Sequence, residues 1–315
     1  MRNGRSCSVN QINMWIVNNA RVWFVSSIVL LVLSGFSMWF FGFKLGIDFT
    51  GGSITEMSFE ERPSIEAVRE KVATIDIGNV IVRPSGDKNI LIKSRHLTEV
   101  EKETLLSSLS TLSTKQGELV RYNAVGPSVG SELARKALLA VSMVILAIAI
   151  FIIFAFRKVS KPVASWKYGI ATIVSLVHDV AIPTAVFVVL GHYLGYEIDL
   201  LFVAALLAVM GYSVHDTIVV FDRVRENLRR NEELGNKEEF NVVVGHGLLQ
   251  TMGRSINTSL TTLFALVALL VLGGESTRGF TIILIAGILV GTYSSIFLAS
   301  PLLVWFKKMQ DKKTE

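Results

Sequence analysis

Six apolar runs, at 22–43, 137–156, 169–190, 200–221, 256–272 and 280–306, limit what this chain can fold into. In hydrocarbon every backbone N–H and C=O must be bonded within its own segment, so an apolar run of about 20 residues reads as a membrane-spanning helix. The first run has 22 residues, about 33 Å of helix, and follows Arg2, Arg5 and Arg21. It exceeds the apolar core of a signal peptide and no A-x-A cleavage site follows it, so an uncleaved span is predicted. The mean hydropathy of +0.51 agrees with a polytopic α-helical membrane protein. The single cysteine, Cys7, excludes an internal disulfide and any multi-cysteine metal site.

The basic residues orient the spans. The 1–21 tail carries three, and the 157–168 loop carries Arg157, Lys158, Lys161 and Lys167 with no acid. The 222–255 connection adds Arg223, Arg225, Arg229, Arg230, Lys237 and Arg254, and the 307–315 tail adds Lys307, Lys308, Lys312 and Lys313. The loops at 191–199 and 273–279 hold only Arg278. Positive residues stay on the cytoplasmic side, so both termini and the two basic connections are predicted there. This bias accounts for the net charge of +5 and leaves no case for a nucleic-acid partner.

One large hydrophilic segment, 44–136, is then predicted outside, between the first two spans. It has 13 basic and 13 acidic residues, a balanced and solvated surface. SITEMSF, NVIVRP, KNILIKS and GELVRYNAV read as strands, and PSIEAVREKVATI and LTEVEKETLLSSLSTL as helices. The order βαββαβ predicts a small α+β domain of ferredoxin-like type. The architecture is thus one span, one exterior domain and five further spans.

Two glycine-rich stretches flank that domain. Gly126, Pro127, Ser128, Val129 and Gly130 spell G-x-S-x-G between a strand and a helix, the context of a nucleophile elbow. A hydrolase needs an acid and then a histidine downstream on a large α/β sheet. Here His192 precedes Glu197 and Asp199, so a turn into the second span is the better reading. LGIDFTGGS, with Gly46, Asp48, Gly51 and Gly52, lacks the Lys-Ser/Thr of a phosphate loop, and Gly-Lys occurs nowhere in the chain. No nucleotide cofactor is expected; the glycines serve tight backbone geometry and Asp48 a local cap or pair.

The polar residues inside the spans are more unusual. His178-Asp179 sits mid-span in the third run, followed by Pro183, which lacks the N–H that would bond the Asp179 carbonyl. His215-Asp216 sits in the fourth run, and RSINTSLTTL opens the fifth with Arg254, Asn257 or Thr258, and Thr261 at helical spacing. Helix-to-helix hydrogen bonding would explain one such residue. Two acids, two imidazoles and an arginine, each costing roughly 2.5–3.5 kcal/mol if uncompensated, point instead to a proton or ion pathway. An intramembrane aspartyl protease would also pair two acids, but its Tyr-Asp and Gly-x-Gly-Asp motifs are absent. A pure membrane scaffold would need no buried acids. Gly287, Gly291 and Ser295 form a small-residue stripe suited to close helix contact, and 241–252 has the pattern of an interfacial amphipathic helix.

LGIDFTGG, VGPSVGSEL, the third-run HD, EIDL at 197–200 and GYSVHDTIVVFDRVREN occur in that order. Together with the span–domain–five-span layout, they resemble the SecD/SecF family of protein-export proteins, within the RND superfamily. The resemblance covers residues 10–306. It implies an RND half-unit of six helices that completes its machine with a separate SecD chain at the SecYEG translocon, with a YajC-like accessory subunit. It also implies residence in a bacterial cytoplasmic (inner) membrane and use of the proton motive force late in export of an unfolded polypeptide, with protons as coupling ion and no enzymatic step. Half of an RND-like small-molecule transporter is the alternative. Residue by residue, the family's essential acid falls on Asp216, its nearby arginine on Arg254, and its third-span pair on His178 and Asp179. Where the family commonly has Asn, this chain has His215, which reads as a neutral hydrogen-bonding substitute.

Overall fold

The computed structural model describes residues 15–112, 117–157, 163–235 and 238–312. Its elements are α1 (Ala20–Phe41), the single turn α2 (Ile47–Thr50), β1 (Gly52–Ser58), α3 (Ile65–Ala73), β2 (Ile81–Ser85), β3 (Asn89–Ser94), α4 (Glu99–Ser110) and β4 (Glu118–Val125). There follow α5 (Pro127–Ala155), α6 (Ser165–Leu194), α7 (Leu200–Glu233), α8 (Phe240–Leu272), α9 (Glu275–Ser294), a π-helical turn Ser295–Ala299 and α10 (Ser300–Asp311). They form a sheet unit, Lys44–Leu139 with Glu197–Leu200, and a helical unit.

In the sheet unit the strands lie in the order β2-β3-β1-β4, every neighbouring pair antiparallel. With α3 after β1 and α4 after β3 this is the βαββαβ order predicted, and it agrees with a ferredoxin-like arrangement. Alternation along the strands sends Met57, Val82, Ile90 and Ile92 to one face, where Val68 and Val72 of α3 and Leu105 and Leu109 of α4 bury them. Each helix starts at a hydroxyl cap. The Ala67 N–H donates to Ser64 Oγ at 3.2 Å, and Thr98 with Glu101 forms a capping box.

The two glycine stretches dock on one another within this unit. Gly51 has φ +76°, and a Cβ there would lie 2.7 Å from Pro127 Cα. A Cβ on Gly130 would lie 2.7 Å from the Gly51 nitrogen. Two backbones therefore pass at a distance no side chain permits. Pro127 takes the first position of α5, where its missing N–H costs nothing.

Among the described residues, six helices are long and apolar enough to cross a membrane: Ala20–Phe41, Pro127–Ala155, Ser165–Leu194, Leu200–Glu233, Phe240–Leu272 and Thr277–Asp311. The last runs through the π-helical turn. The segment 222–255, read from sequence as a connection, is largely helix: α7 continues to Glu233 and α8 begins at Phe240. The amphipathic stretch 241–252 forms the first third of α8, packed against α7. Its apolar stripe explains this, because Phe240, Val244 and Leu248 join Phe221 and Val224 of α7 in one buried cluster. Gly247 allows the approach, as a Cβ there would sit 2.8 Å from Val224 Cγ2. Beside this cluster Phe156 stacks on Tyr168 at 5.2 Å, with Phe221 edge-on to both.

Glu101 gives the sheet unit a pH dependence. Arg95 donates to both its oxygens at 2.5 and 3.0 Å, and the Thr98 N–H adds a third bond at 2.8 Å. These bonds, the arginine's foremost, push the Glu101 carboxyl down to about 2. A carboxyl lowered on folding stabilises the fold above its unfolded value, near 4.3 for a free glutamate, and that contribution is lost as pH falls toward 2. Glu101→Gln is expected to lower hydrogen-exchange protection of α4 at neutral pH in the detergent-solubilised chain. The variant's protection should change less than the wild type's between about pH 4.3 and 2. Identical pH profiles in the two proteins would remove Glu101 from the account.

Candidate functional site

The centre of the helical unit is a polar network around Asp179. Asp179 and its neighbour His178 lie on α6 and are fully buried. His178 Nδ1 lies 3.0 Å from Asp179 Oδ1. The other carboxylate oxygen, Oδ2, accepts a short hydrogen bond from Ser213 Oγ of α7 and one of 2.7 Å from Ser294 Oγ of α9. A buried carboxylate is thus met by hydroxyls from two further helices, which is how a helix bundle offsets the loss of water.

The stripe on α9 makes that geometry possible. Gly287 faces Val209 and Gly291 faces Ser213, where an added Cβ would collide with the former and touch the latter's Cβ at 3.0 Å. Ser295 Oγ then lies 2.9 Å from Thr217 Oγ1. Positions 287, 291 and 295 therefore match 209, 213 and 217 in step, so the two helices run side by side in the same direction at near-backbone separation. The π-helical turn begins at Ser295, and Ser300 Oγ donates to the Ser295 carbonyl at 3.2 Å, five residues back. One extra residue in the turn shifts the helical phase beside Asp179, as π-turns do at functional sites.

Asp216 sits one turn beyond Ser213 on α7 and faces α8. Its Oδ1 accepts from Ser255 Oγ at 2.8 Å. Its Oδ2 is buried and has no hydrogen-bond partner among the described residues. His178 Nε2 and Ser175 Oγ, both on α6, are likewise buried and unpartnered among the described residues. Further along, Ser259 Oγ of α8 meets Thr292 Oγ1 at 2.6 Å and Tyr212 OH at 3.3 Å. Tyr293 stacks on His178 at 5.8 Å and bonds Ser26 of α1 at 2.7 Å.

The predicted residues are placed unequally. His178 and Asp179 share the centre with Ser213 and Ser294, and Asp216, one turn beyond Ser213, is held by Ser255 instead. His215 is on the exposed side of α7. Arg254, Asn257, Thr258 and Thr261 lie on the exposed side of α8. The opposite face of α8, carrying Thr251, Ser255 and Ser259, is the buried one. Small hydroxyl residues fit against α7 where an arginine does not. The sequence reading missed Ser213, Ser255 and Ser294; the Gly287–Gly291–Ser295 stripe was the only signal leading toward them. Of the flanking motifs, Asp48 Oδ2 accepts the Leu200 N–H at 2.9 Å. Gly46, Gly51, Gly126, Pro127 and Gly130 frame close backbone contacts, and Gly52 has φ +141°. Ser128 is exposed at the start of α5. Among the described residues no group of three or more His, Cys, Asp or Glu side chains is arranged for a metal ion.

Residues 105–309 match the family described as protein export membrane protein SecD/SecF, C-terminal, and residues 36–61 match the SecD/SecF GG motif. Protein translocase subunit SecF of Thermobaculum terrenum is 41% identical over 307 residues, covering 93% of this chain and 94% of the relative. That of Anaerolinea thermophila is 35% identical over 306 residues, covering 93% and 97%. The crystal structure of SecDF, a translocon-associated membrane protein from Thermus thermophilus, superposes with a TM-score of 0.77 at 32% identity. It matches 93% of this chain, which spans 38% of that longer one. SecDF in a super-membrane-facing form gives a TM-score of 0.66 at 30% identity, with 95% of this chain and 39% of the other.

Gly287→Leu tests the register of α9 on α7. The added side chain meets Val209, so the helices must separate and Ser294 must leave Asp179. Overpacking typically costs about 1–3 kcal/mol. The expected result is a lower unfolding temperature in detergent, partly restored by Val209→Ala in the same chain. No rescue by Val209→Ala would place the clash elsewhere.

Proposed function

The chain belongs to the SecD/SecF family of protein-export membrane proteins, and from that premise we propose that it is a proton-driven subunit of the Sec export machinery. In this reading it is a multi-pass protein of a bacterial inner membrane, with both termini cytoplasmic and the sheet unit outside. It pairs with a SecD chain at SecYEG, with a YajC-like subunit beside them, and uses the proton motive force in the late stage of moving an unfolded polypeptide. The similarity to solved SecDF supports SecD as the partner. The run of Lys and Arg in 1–21, 157–168, 222–255 and 307–315 supports the orientation.

The observation that carries the reading is the asymmetry of the two buried acids. Asp179 has both oxygens engaged, by His178 on one side and by Ser213 and Ser294 on the other. Asp216 has Oδ1 held by Ser255 and Oδ2 buried without a partner among the described residues. Asp179 is therefore the anchor, and Asp216 the acid with an oxygen open to a proton. Protonation removes the charge that Ser255 solvates and that Arg254, one residue away on α8, attracts through space. The balance between α7 and α8 then changes, and the helices shift. Each proton crossing 100 mV releases about 2.3 kcal/mol, enough to bias such a two-state element. Of the two histidines, buried His178 adjoins Asp179 within this network, and His215 lies on the exposed side of α7.

Asp216→Asn keeps the shape and cannot titrate. In inverted membrane vesicles it is expected to export a secretory protein at the rate of wild type with the gradient collapsed, and to gain nothing from the gradient. Arg254→Ala is expected to share the defect. Wild-type gradient-dependent export by Asp216→Asn, with normal assembly on SecD, would overturn the reading.

A further inference from the structure

Helix α7 carries Asp216 and begins at Leu200, and the four residues Glu197–Leu200 belong to the sheet unit. They are held there at four points. The Leu200 N–H, at the helix start, donates to Asp48 Oδ2 at 2.9 Å. The Gly46 N–H donates to the Ile198 carbonyl at 2.8 Å, and the Ile198 N–H to the Lys44 carbonyl at 2.8 Å, making a short parallel bridge. Glu197 is ion-paired with Lys93, and their side chains are only 20% and 15% exposed.

These partners come from different parts of the sheet unit. Lys44 and Gly46 are in the stretch leaving α1. Asp48 is in α2, which Gly51 and Gly130 lock against the start of α5. Lys93 is in β3, an interior strand bonded on both sides, to β1 and to β2. The bridge is tight: a Cβ on Gly46 would lie 3.2 Å from the Ile198 carbonyl oxygen. A carboxylate at a helix N-terminus meets the positive end of the peptide dipoles, and a half-buried ion pair is little screened by salt. Both ties are therefore stronger than loop contacts need to be for a loop that merely returns the chain.

We propose that Asp48 and the Lys93–Glu197 pair are positioning residues of a coupling joint, through which displacement of α7 is carried into the sheet domain. The proposal rests on the reading of Asp216 given above. Between Leu200 and Asp216 α7 is unbroken for about 24 Å, and an α-helix transmits axial displacement over that length without stretching. What moves at Asp216 arrives at Leu200. There the Asp48 cap passes it to α2, and Glu197 passes it through Lys93 to the middle of the sheet.

The test uses the full chain assembled with SecD in proteoliposomes. Cys7→Ser removes the native thiol, and spin labels go on Val100→Cys of α4 and Leu234→Cys just past α7, both exposed. Wild type is expected to show a gradient-dependent change in label distance, and Asp216→Asn none. Asp48→Ala and Lys93→Glu should each reduce that change about fivefold, the population shift that loss of one helix cap produces. Asp48→Asn, whose amide oxygen still accepts the Leu200 N–H, and the swap of Lys93→Glu with Glu197→Lys should restore it to within about twofold of wild type. Proton uptake through Asp216 should be unchanged in all four joint variants. Wild-type amplitude in Asp48→Ala and Lys93→Glu would overturn the joint and leave the Asp216 reading intact. Equal loss in the rescuing variants would also overturn it, marking the positions as structural. Absence of a gradient response in wild type would overturn the Asp216 reading and the joint with it.

Discussion

A carboxylate in the middle of a helix bundle must be answered by donors, and the answer given to Asp179 organises the helical unit. Left uncompensated, such a group costs roughly 2.5–3.5 kcal/mol on insertion scales. A hydrogen bond to a charged group returns about 1.5–3 kcal/mol, so two well-made bonds cancel the penalty, which a single one meets only at the top of its range. Ser213 and Ser294 supply those two from separate helices. Serine has a short reach, so α7 and α9 must both approach α6 closely. The Gly287–Gly291–Ser295 stripe lets α9 lie on α7 along Val209, Ser213 and Thr217. The burial of one acid and the absence of side chains at two glycines are thus two sides of one packing solution.

Asp216 is treated differently by the same fold. It lies one turn from Ser213 but points toward α8, where Ser255 answers one oxygen and no other described residue meets the second. Two acids on neighbouring helices therefore acquire different characters from the number of hydroxyls aimed at them. Nothing about the residue type distinguishes them. At the other end of α7, Asp48 caps the helix start and Lys93 pairs with Glu197. The helix that bears the incompletely answered acid is therefore the helix whose first turn is tied to the sheet. The glycine motif at 46–52 serves that tie, since Gly51 and Gly130 bring two backbones closer than any side chain allows.

Much of this was legible in the chain because it depends on local periodicity. Apolar runs of spanning length, alternating strands and hydroxyl-capped helices each follow from residues within a few positions of one another. The βαββαβ order was readable for the same reason. Less legible was the rotation of each helix. Arg254 and Ser255 differ by one position, a turn of about 100° about the axis, and the sequence drew attention to the charged one. The buried face of α8 is instead Thr251, Ser255 and Ser259, which resemble any exposed hydroxyl residues until α7 is packed against them. The extension of α8 back to Phe240 was hidden similarly, because its valine stripe suits a membrane surface as well as it suits Phe221 and Val224.

By itself, the sequence determined the six spans, the sheet unit between the first two, and which ionisable residues fall within the apolar runs. These are matters of composition and spacing, enforced by the need to bond every backbone group out of water. Only the tertiary structure decided which hydroxyls meet which acid, that His215 and Arg254 lie on exposed faces, and that Asp48 reaches the start of α7. Those contacts join residues 34 to 152 positions apart. They depend on helix rotation and register, which are fixed by close packing over whole faces and by no single stretch of chain.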